Sequence, residues 1–401
     1  MILWLLVISL ATIATKADIC RELYTYLGFP GSHLSFEQGS DCYGLFWKTA
    51  RGTGEICART ESSRLECPSD FPVTVREAFA YLVSRWPSKS STSSVSGSDA
   101  VEAVAAASAA ASATPQDPIF DILGFGDWGN PRHPEYLEPI ASLISDWYNS
   151  TGAVFLLGDN FYPKGINASL GLQDPAFHLF SRILAPSTVD ANFYVVFGNH
   201  DYLGSPDAQI AYTNVHSKWK FPSPYYFKSF RTSAGRICAW FLDTDRDHFD
   251  LNQARWLNNT LADEVNNCMY KIVSGHHPVF DGGEYRSNEH LIRTLLPILT
   301  HYNVHLYLSG HEHQSQILHS PEYPTTFLIA GAIADMRVPK TRGHDFLQFI
   351  NMKNEAILRL VFYEDKIEYS FIPSDLVKRR KKQPPKPLAY GTVPRDNRIV
   401  A

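Results

Sequence analysis

Val304-His305-Leu306-Tyr307-Leu308-Ser309-Gly310-His311-Glu312-His313 decides how the rest of the chain is read. An apolar run stops at a glycine, and two histidines one residue apart follow it. Alternate side chains of an extended segment face opposite sides, so Glu312 is expected to point away from the two imidazoles. Placed beyond a buried strand, His311 and His313 can serve two different metal ions. Four other stretches share this design. They are Ile122-Leu-Gly-Phe-Gly-Asp127, Val154-Phe-Leu-Leu-Gly-Asp159-Asn160-Phe161-Tyr162, Phe193-Tyr-Val-Val-Phe-Gly-Asn199-His200-Asp201 and Ile272-Val-Ser-Gly-His276-His277. Ligand sites of open α/β sheets gather beyond the carboxyl ends of the strands. If the five ends converge, Asp127, Asp159, Tyr162, Asn199, His276, His311 and His313 surround one cleft. Asp159 is the candidate to bridge two ions held about 3.5–4 Å apart.

Outward from these blocks, buried β runs alternate with amphipathic helices. Strands are expected near 119–126, 153–158, 193–198, 225–230, 236–243, 270–274 and 304–309. Helices are expected over 136–148, 174–184, 250–262 and 288–301. Continuous apolar strands such as Val154-Phe-Leu-Leu belong to sheets covered on both faces. The chain then closes with strands near 326–330, 346–352, 356–363 and 366–372, which suggests a second sheet packed on the first. The fold class is therefore α/β.

Residues 1–17 read as a signal peptide: the apolar run 2–13 is too short to cross a bilayer, and small residues follow at Ala14 and Ala17. No later stretch is long and apolar enough to span a membrane. Residues 18–87 form a small module carrying Cys20, Cys42, Cys57 and Cys67, and 88–118 is a Ser/Ala-rich linker. The catalytic domain runs 119–375, and 376–401 is a basic, Pro-rich tail. Six cysteines, an even count in a chain read as secreted, suggest two bridges in the first module and one between Cys238 and Cys268, although spacing alone leaves the connectivity open. Sequons at Asn149, Asn167 and Asn258 fit the same route and predict N-glycans. With 44% hydrophobic residues the chain can fill a sizeable core, and a net charge of −5 argues against a general nucleic-acid binder.

Gly126-Asp127-Trp128-Gly129, Gly158-Asp159-Asn160-Phe161-Tyr162, Gly198-Asn199-His200-Asp201, Gly275-His276-His277-Pro278 and Gly310-His311-Glu312-His313 together resemble the five motif blocks of purple acid phosphatases. The small tartrate-resistant type is the nearest in pattern, through Tyr202-Leu-Gly, Ala208-Gln-Ile-Ala-Tyr212 and Lys218-Trp-Lys-Phe-Pro-Ser-Pro-Tyr-Tyr226. The resemblance spans about 120–373 and leaves the first module and linker uncovered. It implies a calcineurin-like metallophosphoesterase fold, a four-layer αββα sandwich of two packed mixed sheets.

Carried over residue by residue, the resemblance puts Fe(III) on Asp127, Tyr162 and His313. It puts Fe(II) or Zn(II) on Asn199, His276 and His311, with Asp159 between the ions. Tyrosinate is a hard oxygen donor suited to Fe(III), and neutral imidazoles with an amide oxygen suit the divalent ion. His200 would act over the phosphate, with Asp201 as its orienter. Where small family members carry a Glu-His pair, this chain has Glu284-Tyr285, which makes Glu284 or His200 the candidate general acid, since a phenol titrates near 10. The short connection Asp243 to Asp250 lacks the longer loop of mammalian relatives, so activation by loop cleavage is not expected. The expected function is a secreted or lumenal acid phosphatase, of a lysosome-like compartment, acting on small phosphomonoesters or phosphoproteins. A phosphodiesterase or nucleotidase on the same scaffold, and a weakly active secreted iron-binding protein, remain alternatives.

Overall fold

The structure, a computed structural model, describes residues 117–245, 248–265, 267–333, 341–374 and 383–397, with the backbone of five short strands nearer the N-terminus. The chain divides into two compact units, Met1–Ser112 and Ala113–Ala401. In the first, β1 (Ser35–Gln38), β2 (Tyr43–Thr49) and β3 (Gly52–Glu55) form an antiparallel sheet, and β4 (Ala58–Arg59) pairs with β5 (Leu65–Glu66). The expected signal peptide, the four N-terminal cysteines, nearly all of the linker and the basic run 378–382 lie outside the described residues.

The second unit begins with β6 (Phe120–Phe125), β7 (Ala153–Leu156), β8 (Asn192–Val195) and β9 (Trp219–Lys220). Next come β10 (Tyr226–Arg231), β11 (Arg236–Phe241), β12 (Tyr270–Ser274), β13 (Leu306–Ser309), β14 (Ser315–Leu318) and β15 (Thr326–Ala330). It ends with β16 (Leu347–Asn351), β17 (Ala356–Phe362), β18 (Lys366–Pro373) and β19 (Ala389–Pro394). Two seven-stranded sheets result, ordered β19-β18-β17-β6-β7-β8-β9 and β10-β11-β12-β13-β15-β14-β16. Both are mixed: β6 to β9 and β11-β12-β13-β15 are parallel ladders flanked by antiparallel strands.

The period-2 geometry of a strand explains how one sequence feeds two cores. Along β11, Ile237, Ala239 and Phe241 face the core between the sheets, where Phe155 meets Tyr194 and Phe241 edge to face and Tyr194 meets Phe230 likewise. Cys238, Trp240 and Leu242 face the other way, onto Leu257, Leu261, Leu291 and Leu295 of the covering helices. On the opposite side, helix Leu137–Trp147 buries Leu137, Ile140 and Ile144, a helical stripe, in the core that contains β6 to β8. Each fully buried Leu or Phe contributes roughly 1.5–3 kcal/mol, so these layers dominate stability. The four-layer sandwich of two mixed sheets expected from the sequence is the fold observed.

Several expectations are corrected. The helix read over 288–301 is two, Glu289–Thr294 and Leu296–His301, because Pro297 lacks the N–H that would bond back to Arg293 and its ring crowds that carbonyl. The stretch 174–184 forms a π-helical turn, Leu179–Leu184, in place of a regular α-helix. Strand β14 was not expected, and it joins β15 to β16. Within the stretch read as a tail, β19 pairs antiparallel with β18, and His305 Nε2 donates to the Arg395 carbonyl at 2.9 Å.

Cys238 on β11 and Cys268, just before the neighbouring parallel strand β12, form the expected disulfide. The bridge closes a separation of 30 residues. Replacing both cysteines by alanine is expected to lower stability by about 2–4 kcal/mol, read from the shift of the denaturant midpoint.

Candidate metal centre

The strand ends are level, and that places the donors. Phe125 on β6 is in register with Leu156 on β7, which is in register with Val195 on β8. In the other sheet Ser274 on β12 is level with Leu308 on β13. The sheets are tied together at this end: the Gly126 amide donates to Ala330 O at 2.7 Å, and His276 Nδ1 donates to Leu157 O at 2.8 Å. The chain must then turn sharply to send each side chain inward. Asp127, Asp159 and His311 do so with φ of 57°, 49° and 68°, in the left-handed region that costs an ordinary residue free energy. Gly158 (φ 86°) has no alternative, since a Cβ there would lie 2.5 Å from His276 Nδ1.

Tyr162 Oη is the meeting point. It lies 2.8 Å from Asp159 Oδ2, 2.9 Å from Asp127 Oδ1 and 3.1 Å from His313 Nε2. His313 Nε2 is 3.5 Å from Asp127 Oδ1. Beyond Asp159, His276 Nε2 is 3.5 Å from Asp159 Oδ1, the His276 and His311 rings are 5.1 Å apart, and His311 Nδ1 is 3.0 Å from Asn199 Oδ1. All seven predicted donors are thus brought together. Asp159 touches both the Asp127–Tyr162–His313 group and the His276 side, the position a bridging carboxylate would need.

The site's electrostatics fit cations. Burial alone would raise the Asp127 carboxyl, but its bond to His313 and the charges of His276 and His313 outweigh it and hold Asp127 below its ordinary value. Burial would lower His276, and Asp159 and Asp127 together raise it. Desolvation, then Asp127 and Asp159, push the Tyr162 phenol well above its ordinary value. Because a carbonyl only accepts, the bond to Leu157 O puts a proton on His276 Nδ1. That turns the Nε2 lone pair to the cleft, where Nε2 is buried and makes no hydrogen bond. This second-sphere arrangement is typical of imidazole metal ligands. Carboxylates, a phenol, an amide oxygen and imidazoles form a donor set suited to a ferric ion beside a divalent one.

Around this core the sequence reading needs amendment. Asp201 does not orient the His200 ring. It is fully buried and accepts from the amides of Gly198 (2.8 Å), Asn160 (3.1 Å) and Phe161 (3.2 Å) and from Gln209 Nε2 (2.9 Å). It staples two ligand loops from beneath, and burial with the charge of Asp159 raises its carboxyl to about 7. His200 Nδ1 instead donates to Pro163 O at 2.7 Å, which leaves Nε2 facing the cleft, 3.9 Å from Asp159 Oδ2. Glu284 is half-buried, and its backbone carbonyl accepts from Arg342 Nε at 3.0 Å. Tyr285 lays its ring on His311, with centroids 4.6 Å apart. His277, read as a neighbour of the site, packs against His311 with ring centroids 4.3 Å apart and the planes tilted by 46°. Thr244 was missed: its hydroxyl accepts the amides of both His276 and His277 at 2.9 Å, and a lone threonine after a strand carries no signal for that role.

Residues 120–315 match the family model of calcineurin-like phosphoesterases. Tartrate-resistant acid phosphatase type 5 of Sus scrofa is 33% identical over 242 residues, covering 53% of this chain and 69% of its own length. The Homo sapiens protein of that name is 33% identical over 236 residues, covering 52% and 70%. Purple acid phosphatase 7 of Arabidopsis thaliana is 30% identical over 236 residues, covering 52% and 68%. Among solved structures, GAP50, the anchor in the inner membrane complex of Plasmodium, shares the fold with a TM-score of 0.58 at 19% identity, covering 69% of this chain and 89% of that one. A buried aspartate, tyrosine and histidine cluster at aligned strand ends, carried by a sequence this close to those phosphatases, makes the chain a member of the purple acid phosphatase family of calcineurin-like metallophosphoesterases.

Proposed function

We propose that this chain is a secreted acid phosphatase that hydrolyses phosphomonoesters at a dinuclear centre. The observation that carries the reading is the convergence of Asp127, Asp159 and His313 on the hydroxyl of Tyr162, all within 3.1 Å. Asp127, Tyr162 and His313 would hold Fe(III), Asn199, His276 and His311 would hold Fe(II) or Zn(II), and Asp159 would reach both. When bound, such a pair fixes phosphate oxygens and makes a water nucleophilic near neutral pH.

The chain's own groups do the rest. His200, oriented through Nδ1 by the Pro163 carbonyl, presents Nε2 to the cleft, where it holds or passes a proton and meets developing phosphate charge. Asp201 keeps the loops of Asp159 and Asn199 in fixed relation, so its effect on chemistry is indirect. Glu284, next to the ring that covers His311, is the carboxyl offered to the leaving group. Sequons at Asn149 and Asn167 lie exposed, in keeping with a glycosylated secretory product. Asn258 is half-buried in helix Leu251–Glu264 and accepts from the Tyr302 hydroxyl at 3.1 Å.

Purified protein should carry two metal ions, at least one of them iron, absorb in the visible and prefer 4-nitrophenyl phosphate to its bis ester. Absence of iron by elemental analysis, or preference for the diester, defeats the reading. His313→Ala should abolish ferric binding and colour together. His200→Ala should retain the colour while slowing turnover roughly 10²-fold. Full activity in that variant would remove His200 from the chemistry.

A further inference from the structure

Between the two histidines of the last block sits a carboxylate that the metal assignment leaves without a task. Glu312 is 3% exposed. Its Oε1 accepts the Tyr285 amide at 2.7 Å, and the carboxylate also takes the Glu284 amide and hydrogen-bonds with Asp281. The backbone passes so closely that a Cβ on Gly283 would stand 2.7 Å from Glu312 Cδ. Asp281 grips the same turn from its other end, accepting from the Gly283 amide at 2.7 Å and the Arg286 amide at 3.1 Å. Arg286 has φ of 74°, a conformation that persists only where neighbouring contacts impose it. The turn presents Tyr285, a residue 43% exposed whose ring is inclined 31° to His311.

We propose that Glu312 is a positioning residue. From between His311 and His313 its carboxylate holds the amides of Glu284 and Tyr285, and so sets the 281–286 turn and the Tyr285 ring as one wall of the cleft over His311. The strand that delivers two candidate ligands therefore also fixes the wall the substrate meets. The effect on catalysis rests on the phosphatase reading above; the clamp itself does not. Leucine in place of Glu312 keeps much of the volume but removes both acceptor oxygens, leaving the Glu284 and Tyr285 amides unmatched, whereas glutamine could still accept through Oε1 and donate through Nε2 to Asp281.

The test compares the purified, metal-loaded parent with Glu312→Leu, Tyr285→Ala and the double variant. In Glu312→Leu, amide hydrogen exchange at Glu284 and Tyr285 should accelerate about tenfold or more, with the rest of the fold unchanged. KM for 4-nitrophenyl phosphate should rise about tenfold and kcat should fall with it, because the same turn carries Glu284, while iron content stays within about twofold. Tyr285→Ala should give the same rise in KM, and the double variant should raise KM no further, because both changes reach substrate binding through one ring. Unchanged exchange at those amides, a loss of kcat or iron at constant KM, or additive rises in KM in the double variant would each overturn the proposal. A parent without turnover would count against the phosphatase reading, and the exchange comparison would still decide the clamp.

Discussion

Two buried carboxylates, Asp127 and Asp159, set the terms for everything around them. Both are all but sealed from solvent, and both lie against the same phenol. Taking a carboxylate out of water costs several kcal/mol, and two unit charges about 4 Å apart repel by a further ~4 kcal/mol at an effective dielectric of about 20. Such a pair persists only where positive charge and hydrogen-bond donors surround it. The backbone supplies part of the need, with the His200 amide on Asp159 and the His311 amide on Asp127, both at 2.9 Å. The imidazoles of His276 and His313 supply more, and the remaining deficit is one that cations would meet.

Holding those charges requires a rigid frame, and the two-sheet core provides it. Parallel strands end level, so short loops of fixed length can reach a common point. The local conformations are unfavourable: three of the candidate ligands have left-handed backbone. They are tolerated because the loops are bonded to one another and to both sheets, through Gly126 to Ala330, His276 to Leu157 and Asp201 to Gly198 and Asn160. The strain is thus borne by contacts that depend on both sheets being in place.

Much of this was legible in the residue order. The strands were found because apolar runs closed by glycine have few other readings, and the seven donors because each sits one to five residues beyond such a run. The roles of Asp201 and Glu312 were not legible. Each braces an amide dozens of residues away, Asp201 that of Asn160 and Glu312 that of Tyr285. Glu312 does face away from the metal donors, as alternation required, but what it faces depends on where the 281–286 turn lands. The break at Pro297 was readable in principle, since a missing N–H is a local fact; the periodicity of its neighbours masked it. Strand β19 was hidden because its partners are all supplied by β18. The family model matches residues 120–315, so the first unit lies outside that match.

The order of residues by itself determined the elements, the chemistry of the donors and the family, because apolar periodicity, turn glycines and residue types at strand ends are local properties. Only the tertiary structure decided which donors share a phenol, which nitrogen of each anchored imidazole faces the cleft, and which buried carboxylates brace loops instead of meeting substrate. Those outcomes follow from contacts between segments far apart in the chain, whose register and separation are fixed when two sheets close on one core.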